Sequence, residues 1–570
     1  MIKGYKQKSA LILSQIFLVI SAAVSADIGQ SSDAGRSLSI KSSETSYESV
    51  LKSRRPNILL IIADDLGYSD IGAFGGEIRT RHLNELAQSG LRATNFHTAA
   101  TCSPTRAMLL SGADNHPVGL ATMPGHLASN QRGKPGYEMH LNDSAFSIAS
   151  LLRESGYNTY FAGKWHIGSK PAHLPSRRGF ERSFALLEGG ASHFEDQIGP
   201  TSHFPVANYV ENGIPVKSLP KGFFSTDYYT SKTIDFIKQD KQDDKPFFAI
   251  VAYTAPHWPL QAPEKYLDKY AGAYDQGYQA VATKRLNHLR QLGLLDQAGE
   301  IYLTDIDEWQ QLSDQSRREE SRKMEIYAAM VEHMDDNIGR LLDYLKLSGN
   351  YENTLIIFFS DNGPEGKNPI NLHNNKEWIP QNFDTSFANM GKPRSFVSYG
   401  RSWAQVSALP NRGIKSTGYE GGIRTPMLIH YPSADLKKGS YNNFISVKDL
   451  APTLAEIAGA ESLIKAGIKK GKIPMSGSSL LPFLESITNK VHPDNYAMGW
   501  EILGAYGVRV GHWKAVYGDS GWQLFDLSID SGERNDQSDQ RPEKLMELTT
   551  FWDSYVEKNA IHLPSEKVNY

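Results

Sequence analysis

The sequence has 570 residues, of which 40% are apolar and 10% aromatic, with a formal net charge of −3 and a single cysteine. This length predicts one large globular domain together with a smaller one. The near-neutral charge gives no support for a nucleic-acid partner, and a single cysteine excludes a fold held together by intrachain disulfides.

The N-terminus has the pattern of a secretory signal peptide. Three lysines among the first eight residues precede an apolar run at 10–23, and the small residues of 23–26 follow as a cleavage site. The apolar run is too short for a membrane anchor, at roughly 14 residues against about 20. We therefore predict a signal peptide at 1–26, export to a bacterial periplasm or the extracellular space, and no stable membrane insertion of the mature chain.

After a Ser-, Asp- and Lys-rich stretch at 27–53, which predicts a flexible lead, apolar runs alternate with helical patterns. The clearest helical pattern runs from Tyr327 to Leu345, with apolar residues spaced by three and four. This alternation predicts an α/β main domain at 54–485, built on a large mixed, mainly parallel sheet flanked by helices. The apolar runs lie at 57–63, 157–162, 246–253, 354–360 and 425–431.

Two parts of the chain depart from this alternation. Residues 264–323 are charged and helix-prone, and they predict a helical insertion packed on the main domain. From residue 486 to 570 the texture changes to short strands, near 496–500, 505–517 and 522–527, followed by a helix near 544–558. We predict a small C-terminal α+β domain built on a short antiparallel sheet.

Four of the apolar runs end in polar residues that can do chemistry. In an open α/β sheet, ligands bind just beyond the carboxyl ends of the strands. We therefore expect seven side chains that are distant in sequence to meet at one site, namely Asp64, Asp65, Lys164, His166, His257, Asp361 and Asn362.

Two of these strand ends favour a metal site. Asp64-Asp65 and Asp361-Asn362 supply three carboxylates and one amide oxygen, which are hard donors that suit Ca²⁺ or Mg²⁺ better than zinc. The alternative is that these residues only cap the turns after their strands. Their recurrence after two matching apolar runs favours the metal.

Two histidines are candidates for acid–base chemistry. His166 and His257 each follow a strand by a few residues, and His166 lies two residues from Lys164. A lone histidine is more often structural, but two in equivalent positions favour catalysis. By spacing alone, Lys415 is typical of an ordinary surface lysine.

The single cysteine lies in the stretch TCSPTRAMLLSG, at 101–112. Its chemistry alone leaves three interpretations of Cys102 open: a small buried apolar residue, a free thiol, or a nucleophile of the cysteine–histidine kind. The flanking residues do not decide between them by physical reasoning.

The arrangement of Cys102, Pro104 and Arg106, with Gly112 six residues after the arginine, resembles the signature of the type I, formylglycine-dependent sulfatases of the alkaline phosphatase superfamily. Ser111 stands where that family more often has threonine. Other stretches resemble family landmarks in family order, so that the resemblance covers roughly residues 55–530. They lie at 64–68, 163–166, 255–257, 360–363 and 421–426, and the segments 69–76 and 402–407 look most like bacterial arylsulfatases.

The resemblance implies a sulfuric ester hydrolase with an alkaline phosphatase-like fold and a catalytic domain at 54–485. A maturase would oxidise Cys102 to Cα-formylglycine, reading Pro104 and Arg106, and the aldehyde would hydrate to a gem-diol nucleophile. One Ca²⁺ per chain would be bound by Asp64, Asp65, Asp361 and Asn362.

The resemblance also implies roles for the other side chains. Arg106 would hold the diol, and Asp361 would assist its deprotonation. After attack on sulfur, His166 would take the proton of the second hydroxyl, so that sulfate leaves and the aldehyde returns. The sulfate oxygens would be contacted by Lys164, Lys415 and His257, and either of the last two would protonate the leaving group.

Two other functions stay open. A phosphonate or phosphodiester hydrolase of the same superfamily would suit the same cation and diol. An exported carbohydrate-binding protein without activity is disfavoured, because every expected site position is filled. The substrate, an aryl sulfate or a sulfated carbohydrate, is not readable from the sequence, and we expect loops within 113–140 and 366–410 to select it.

Overall fold

The computed structural model of the protein describes residues 49–296, 306–372, 374–518 and 520–568. The predicted signal peptide and most of the predicted lead lie outside the described residues. The strands of the described part are β1 (Asn57–Ala63), β2 (Leu91–His97), β3 (Asn158–Lys164), β4 (Arg182–Leu186), β5 (Ile198–Thr201), β6 (Phe204–Val206), β7 (Tyr209–Glu211), β8 (Ile214–Pro215), β9 (Phe247–Ala252), β10 (Thr354–Ser360), β11 (Arg424–His430), β12 (Gly439–Tyr441), β13 (Ile445–Ser446), β14 (Ala497–Ile502), β15 (Ala505–Val510), β16 (Trp513–Gly518) and β17 (Gly521–Asp526).

The α-helices of the same residues are α1 (Val50–Arg54), α2 (Arg81–Ser89), α3 (Cys102–Ser111), α4 (Ile148–Glu154), α5 (Ser225–Gln239), α6 (Glu264–Leu267), α7 (Gly277–Gln291), α8 (Asp314–Leu347), α9 (Asn375–Asn382), α10 (Gly400–Ala408), α11 (Glu420–Ile423), α12 (Leu450–Ile457), α13 (Glu461–Lys469), α14 (Leu481–Leu484) and α15 (Pro542–Lys558). None of these helices combines the length and the apolar character needed to cross a lipid bilayer.

A mixed sheet of eleven strands organises the main part of the protein. Its order is β12-β2-β11-β10-β1-β9-β3-β4-β7-β8, and β13 also pairs with β2. The strands β10, β1, β9, β3 and β4 are mutually parallel, whereas β11 and β7 run antiparallel to their neighbours β10 and β4. The predicted α/β class with a large mixed, mainly parallel sheet is confirmed.

The central strands are buried on both faces, which explains their continuous apolar sequences. In β1, Leu59 and Ile61 contribute to the core on one face of the sheet, while Ile58, Leu60 and Ile62 contribute to the core on the other. Alternating side chains of a strand point to opposite faces, so both sets must be apolar when helices cover both faces.

The structure differs from the sequence prediction at the end of β3. The strand was predicted to end at Ala162, but it runs through Lys164 and pairs there with Leu186 of β4. All seven residues of β3 are buried. A lysine breaks the apolar pattern that marks such a strand, and only a buried acidic partner makes this position tolerable.

The last residues of the predicted flexible lead are ordered. α1 covers Val50–Arg54, and its N-cap Ser49 accepts the backbone N–H of Lys52 at 3.1 Å. Leu51 is fully buried, and its backbone N–H donates to Glu485 at 2.8 Å. The prediction of a flexible segment is therefore wrong for these residues, because a distant carboxylate and one apolar side chain fix them.

The C-terminal part forms the expected antiparallel sheet. Strands β14, β15, β16 and β17 pair in chain order, and α15 packs against them through Leu548, Trp552 and Tyr555. The stretch predicted as one strand at 505–517 is two strands joined by a turn at Gly511. All described residues belong to one compact unit, and the boundary at 486 stays a prediction.

The predicted insertion at 264–323 contributes a buried arginine to the main domain. Its described part contains α6, α7 and the start of α8. Arg285 of α7 is fully buried and donates to Asp70 Oδ1 and to Glu77 Oε2, each at 2.7 Å. No sequence pattern connects this helix with the loop after β1.

Asp70 is the centre of that loop. In addition to Arg285, its carboxylate accepts the backbone N–H of Gly67 at 2.7 Å and the hydroxyl of Tyr327 at 2.6 Å. The insertion and α8 therefore both fix the loop that directly follows Asp64-Asp65.

Arg285→Met tests this connection. Loss of the guanidinium leaves two carboxylates without their buried partner, so we expect a loss of about 3–5 kcal/mol in the free energy of unfolding, measured by urea denaturation. Lys284→Met is the matched control, because Lys284 is the exposed neighbour on the same helix. Equal effects of the two substitutions would contradict the role given to Arg285.

Candidate active site

The polar residues expected at strand ends meet at one edge of the sheet. β1 lies between β10 and β9, and β3 lies beyond β9, so four parallel strands end side by side. The backbone N–H of Asp361 donates to the carbonyl of Ala63, and that of Asp64 donates to the carbonyl of Ala255, both at 3.1 Å. The segments that follow β1, β9 and β10 are thereby held together.

Three carboxylates and one thiol form a buried cluster there. Ligand atoms of Asp64, Asp65, Asp361 and Cys102 all lie within 4.8 Å of one another. The Cys102 thiol donates to Asp64 Oδ1 at 3.3 Å, and its sulfur lies 3.8 Å from Asp65 Oδ1. Each of these residues is at most 2% exposed.

Each carboxylate of the cluster has a buried cation beside it. The pairs are Lys164 Nζ with Asp64 Oδ2 at 2.6 Å, Lys415 Nζ with Asp65 Oδ1 at 2.8 Å, and Arg106 Nη2 with Asp361 Oδ2 at 2.7 Å. Three positive charges thus offset three negative ones. A divalent cation would add positive charge to this cluster, and an anionic ester would add negative charge that offsets it.

The interpretation of Lys415 as an ordinary surface lysine is wrong. It is only 2% exposed, and its backbone N–H donates to the carbonyl of Pro364 at 3.0 Å. Its ammonium group also lies 3.4 Å from Glu365 Oε2. Sequence spacing missed this residue because a loop, not a strand end, brings it to the cluster.

Cys102 is the first residue of α3, a helix whose ten residues are all buried. Its backbone position is therefore at the positive end of the helix dipole. Gly112 ends the helix in the left-handed conformation with φ of 68°, and its N–H donates to Met108 at 2.9 Å. A glycine therefore follows the motif at this spacing because the left-handed conformation that ends the helix favours glycine.

Burial and the neighbouring Asp361 raise the pKa of the Cys102 thiol well above its usual value. The thiolate, not the thiol, is the nucleophilic form of cysteine. The environment therefore disfavours the interpretation of Cys102 as a nucleophile of the cysteine–histidine kind.

The two adjacent aspartates of the cluster differ in their pKa. Burial raises the pKa of Asp64 to about 7, in spite of the opposing charge of Lys164. Burial acts in the same direction on Asp65, but Lys415 and His257 outweigh it and lower the pKa of Asp65 to about 2.

His166 faces the cluster from a left-handed backbone conformation, with φ of 56°. Its ring packs against Gly189, where a Cβ atom would lie 2.6 Å from the ring. The buried Nδ1 has no hydrogen-bond partner among the described residues. Burial and the charge of Lys164 lower the pKa of His166 well below its usual value, so the ring is neutral.

His257 is held by its neighbours on both ring nitrogens. Its Nδ1–H donates to the backbone carbonyl of Trp258, and its Nε2 lies 3.5 Å from Asp65 Oδ2. Burial, together with the charge of Lys415, lowers the pKa of His257 well below its usual value.

The donor set fits a hard divalent cation. The Nδ2 group of Asn362 donates to Asp65 at 2.6 Å and to the carbonyl of Gly363 at 2.7 Å, while its buried Oδ1 has no partner among the described residues. A buried acceptor without a donor, beside three carboxylates, is the arrangement that a cation completes.

A cavity of about 410 Å³ opens above this cluster. Cys102, His166, His257 and Lys415 line its floor. Its walls come from both loops expected from the sequence, through Met123–His126 and through Leu372 and Asn374-Asn375.

The sequence reasoning missed a third wall of the cavity. Residues 200–204, which comprise the end of β5, the turn after it and the first residue of β6, also line it. Ser202 is fixed there by Asn375 through two hydrogen bonds of 2.7 and 2.8 Å. These strands are short and lie away from the apolar runs, so no sequence pattern marked them.

Comparison with known proteins decides the family. The sulfatase family model matches residues 56–460, and a model described as N-sulphoglucosamine sulphohydrolase, C-terminal, matches residues 415–550. The chain belongs to the sulfatase family. This sulfatase is accordingly a sulfuric ester hydrolase, as the resemblance of its motifs implied.

Relatives resemble the sulfatase over most of its length. It is 40% identical over 543 residues to an uncharacterized sulfatase of Schizosaccharomyces pombe, covering 91% of this chain and 96% of the relative. It is 39% identical over 430 residues to an arylsulfatase of Klebsiella aerogenes, covering 75% and 91%. The crystal structure of Ps i-CgsB in complex with k-i-k-neocarrahexaose matches with a TM-score of 0.64 at 25% identity, covering 90% of this chain and 95% of that one.

The cation fit can be tested on purified protein freed of metal by a chelator. We expect added Ca²⁺ to raise the unfolding temperature, since a ligand at 100 times its Kd stabilises the folded state by about 2.7 kcal/mol. Asp65→Asn should abolish this shift. Asp114→Asn is the matched control, because Asp114 is also a buried carboxylate with a lysine partner, Lys448 at 2.8 Å, and lies outside the cluster. A Ca²⁺-dependent shift that survives Asp65→Asn would contradict the site.

Proposed function

We propose that this sulfatase hydrolyses sulfate monoesters at a formylglycine derived from Cys102, beside a Ca²⁺ held by Asp64, Asp65, Asp361 and Asn362. The products would be inorganic sulfate and an alcohol or a phenol. The observation that supports this proposal most directly is the position of Cys102, 3.3 Å from Asp64 and at the floor of the cavity.

The bound cation would polarise the sulfate, and the hydrated aldehyde would supply the attacking oxygen. The residues of the chain prepare this site. Arg106 donates to Asp361 from both Nε and Nη2, and its Nη1 donates to the carbonyl of Lys164. Arg106 thus orients Asp361 beside the position of the nucleophile and fixes the end of β3 at the same time.

Lys415 is the better candidate for the general acid. His257 donates its Nδ1–H to Trp258, so its Nε2 carries a proton only when the ring is charged. The ammonium group of Lys415 always has protons to give while it is charged, and it lies at the cavity floor. We therefore assign protonation of the leaving oxygen to Lys415 and contact with sulfate oxygens to Lys164 and His257.

His166 would act as the general base in the second half of the reaction. Its ring is neutral, it lines the cavity, and its buried Nδ1 has no hydrogen-bond partner among the described residues. A base in this state can accept the proton whose removal releases sulfate. General-base assistance of this kind contributes about 10² to 10⁴-fold to a rate.

The cavity favours a ring-shaped leaving group. Phe204, Trp258 and Leu372 give its walls an apolar surface, as an aryl ring or a sugar face requires. A second cavity of about 250 Å³ adjoins it and shares Pro124, His166, Gly189 and Phe204. The two cavities support an aryl sulfate or a sulfated carbohydrate as the substrate, with room for more than one ring.

The family match favours sulfate esters over the phosphonate or phosphate diesters that the sequence left open. The two substrate classes are distinguished by measuring kcat/KM for an aryl sulfate and for a phosphate diester with the same aryl leaving group. We expect the sulfate to be the better substrate. A preference for the diester would overturn the proposed reaction.

Export and maturation complete the proposal. The pattern at 1–26 supports removal of a signal peptide and a location in the bacterial periplasm or outside the cell. The motif of Cys102, Pro104 and Arg106 supports recognition by a formylglycine-generating maturase. N-terminal sequencing of the mature protein tests the first of these points.

Conversion of Cys102 is tested by the mass of the tryptic peptide that contains it. Replacement of the thiol by an aldehyde removes about 18 Da. A peptide from the native host that retains its thiol would overturn the proposed nucleophile.

Cys102→Ser tests the need for a second hydroxyl. We expect this variant to become sulfated on the serine and then to turn over at least about 10²-fold more slowly, because His166 has no remaining hydroxyl proton to remove. Intact mass after incubation with an aryl sulfate measures the trapped ester. Multiple turnovers at the wild-type rate would contradict the mechanism.

The assignment of Lys415 predicts a dependence on the leaving group. Lys415→Met should lower kcat/KM by about 10² to 10⁴-fold for an alkyl sulfate but much less for 4-nitrophenyl sulfate, whose phenolate needs no proton. His257→Gln is the matched comparison and should lower both values by a similar factor. If only His257→Gln changed the ratio of the two substrates, the acid would be His257.

A further inference from the structure

A third cavity, of about 290 Å³, lies away from the catalytic cavity, where the C-terminal sheet packs on the edge of the central sheet. One wall is the segment Asn442–Phe444, which connects β12 and β13 beside β2. The opposite wall contains Arg509 of β15 and the turn at Gly511-His512. The cavity shares no lining residue with the catalytic cavity or with the second cavity that adjoins it.

A buried arginine with incomplete hydrogen bonding lines this cavity. Arg509 is only 7% exposed. Its Nε donates to the carbonyl of Gly511 at 2.7 Å, and its Nη1 donates to Asn95 Oδ1 at 3.1 Å and lies 3.4 Å from His97 Nε2. Its Nη2 has no hydrogen-bond partner among the described residues. A guanidinium group in this state presents a fork suited to a carboxylate or a sulfate.

The buried charges behind Arg509 do not cancel. Around it lie two further cations, Arg424 and Lys514, and two carboxylates, Glu420 and Glu533. Lys514 Nζ lies 2.8 Å from both carboxylates. Three cations against two carboxylates leave an excess of positive charge, and the cavity is where a solute reaches Arg509. Burial raises the pKa of Glu533 to about 7, which increases the excess.

The acidic groups near the cavity have partners other than Arg509, and one of them, Asp526, accepts the backbone N–H and the hydroxyl of the lining residue Ser528. Asp494 on its rim is bonded to Lys490, and Asp449 accepts from His492 at 2.8 Å. These pairs do not neutralise Arg509. An anionic group that enters the cavity therefore meets a net positive surface.

Aromatic rings form the floor of the cavity. Phe444 packs under the Arg509 guanidinium, which lies 5.1 Å from the ring centre, and Tyr496 lies 5.3 Å from Phe444, centre to centre. His492 stacks on Tyr496 at 3.8 Å. Phe444 also stacks on His97 at 4.7 Å, and the parts of Phe444 and Tyr496 that line the cavity lie beside the amides of Asn442 and Asn443. Such a lining suits a pyranose ring, because its C–H groups pack on aromatic side chains and its hydroxyls bond to amides.

We propose that this cavity binds one acidic sugar residue, through its carboxylate or sulfate on Arg509 and its ring on Phe444 and Tyr496. It is a binding site without catalytic groups, separate from the site of hydrolysis. It would retain an anionic glycan on the enzyme while another part of the glycan, or another molecule, is processed.

The direct test uses methyl β-D-glucuronide, which carries no sulfate ester, with methyl β-D-glucoside as its neutral counterpart. Saturation-transfer NMR and titration calorimetry on the full-length protein should detect binding of the glucuronide and not of the glucoside. Methyl glucoside 6-sulfate, tested on the inactive variant Cys102→Ala, determines whether sulfate serves as well as carboxylate. If neither anionic sugar binds, or if the neutral sugar binds equally well, the proposal fails.

Two rim variants of opposite charge locate the site. Asn442 and Asp494 are both exposed, so neither substitution should disturb folding. Asn442→Asp adds a negative charge and should weaken glucuronide binding by about tenfold or more, whereas Asp494→Asn removes one and should not weaken it. Arg509→Met should abolish glucuronide binding. The unfolding temperature of this variant and its turnover of 4-nitrophenyl sulfate are measured alongside, to show that the variant is folded.

Lys415→Met excludes the catalytic cavity as the place of binding. This variant should bind the glucuronide like the wild type, whatever happens to its hydrolytic activity. Loss of binding in Lys415→Met, or no effect of Asn442→Asp, would overturn the second site. Neither result would bear on the hydrolysis proposed at Cys102, so the two proposals fail independently.

Discussion

The site depends on one constraint, which is that three carboxylates are buried together and must be offset by three buried cations. Asp64, Asp65 and Asp361 are withdrawn from water, where each charge alone would cost several kcal/mol. Lys164, Lys415 and Arg106 lie within 2.8 Å of them. Removal of any one member leaves a charge without its partner, so the groups proposed to bind the metal and those proposed to contact the sulfate form a single electrostatic unit.

This unit is built on the order of the strands. β1 is central, with β10 on one side and β9 and β3 on the other, so residues far apart in sequence share one sheet edge. The scaffold extends further than the sheet. Arg285 and Tyr327 hold Asp70 and hence the loop after β1, and α3 presents Cys102 from a wholly buried position. Contacts between distant segments therefore hold the few residues of the proposed active site in place.

The C-terminal sheet helps to position the segment that carries Lys415, a role that its sequence does not suggest. Lys514 of β16 pairs with Glu420, the first residue of α11, and the same carboxylate lies 2.9 Å from His97 at the end of β2. The segment that carries Lys415 precedes α11 directly. The same buried carboxylates, Glu420 and Glu533, lie near Arg509, on which the proposed sugar site depends.

The sequence by itself determined the α/β class, the ends of β1 and β10, and the residues that follow the buried strands, because a strand covered on both faces needs a continuous apolar run. It also determined the family, through the motif at Cys102. Only the tertiary structure decided that Lys415 is buried, that β3 includes Lys164, and that the loop between β5 and β6 closes the cavity. Those features arise from contacts between distant segments, and a local pattern cannot encode a partner that lies hundreds of residues away.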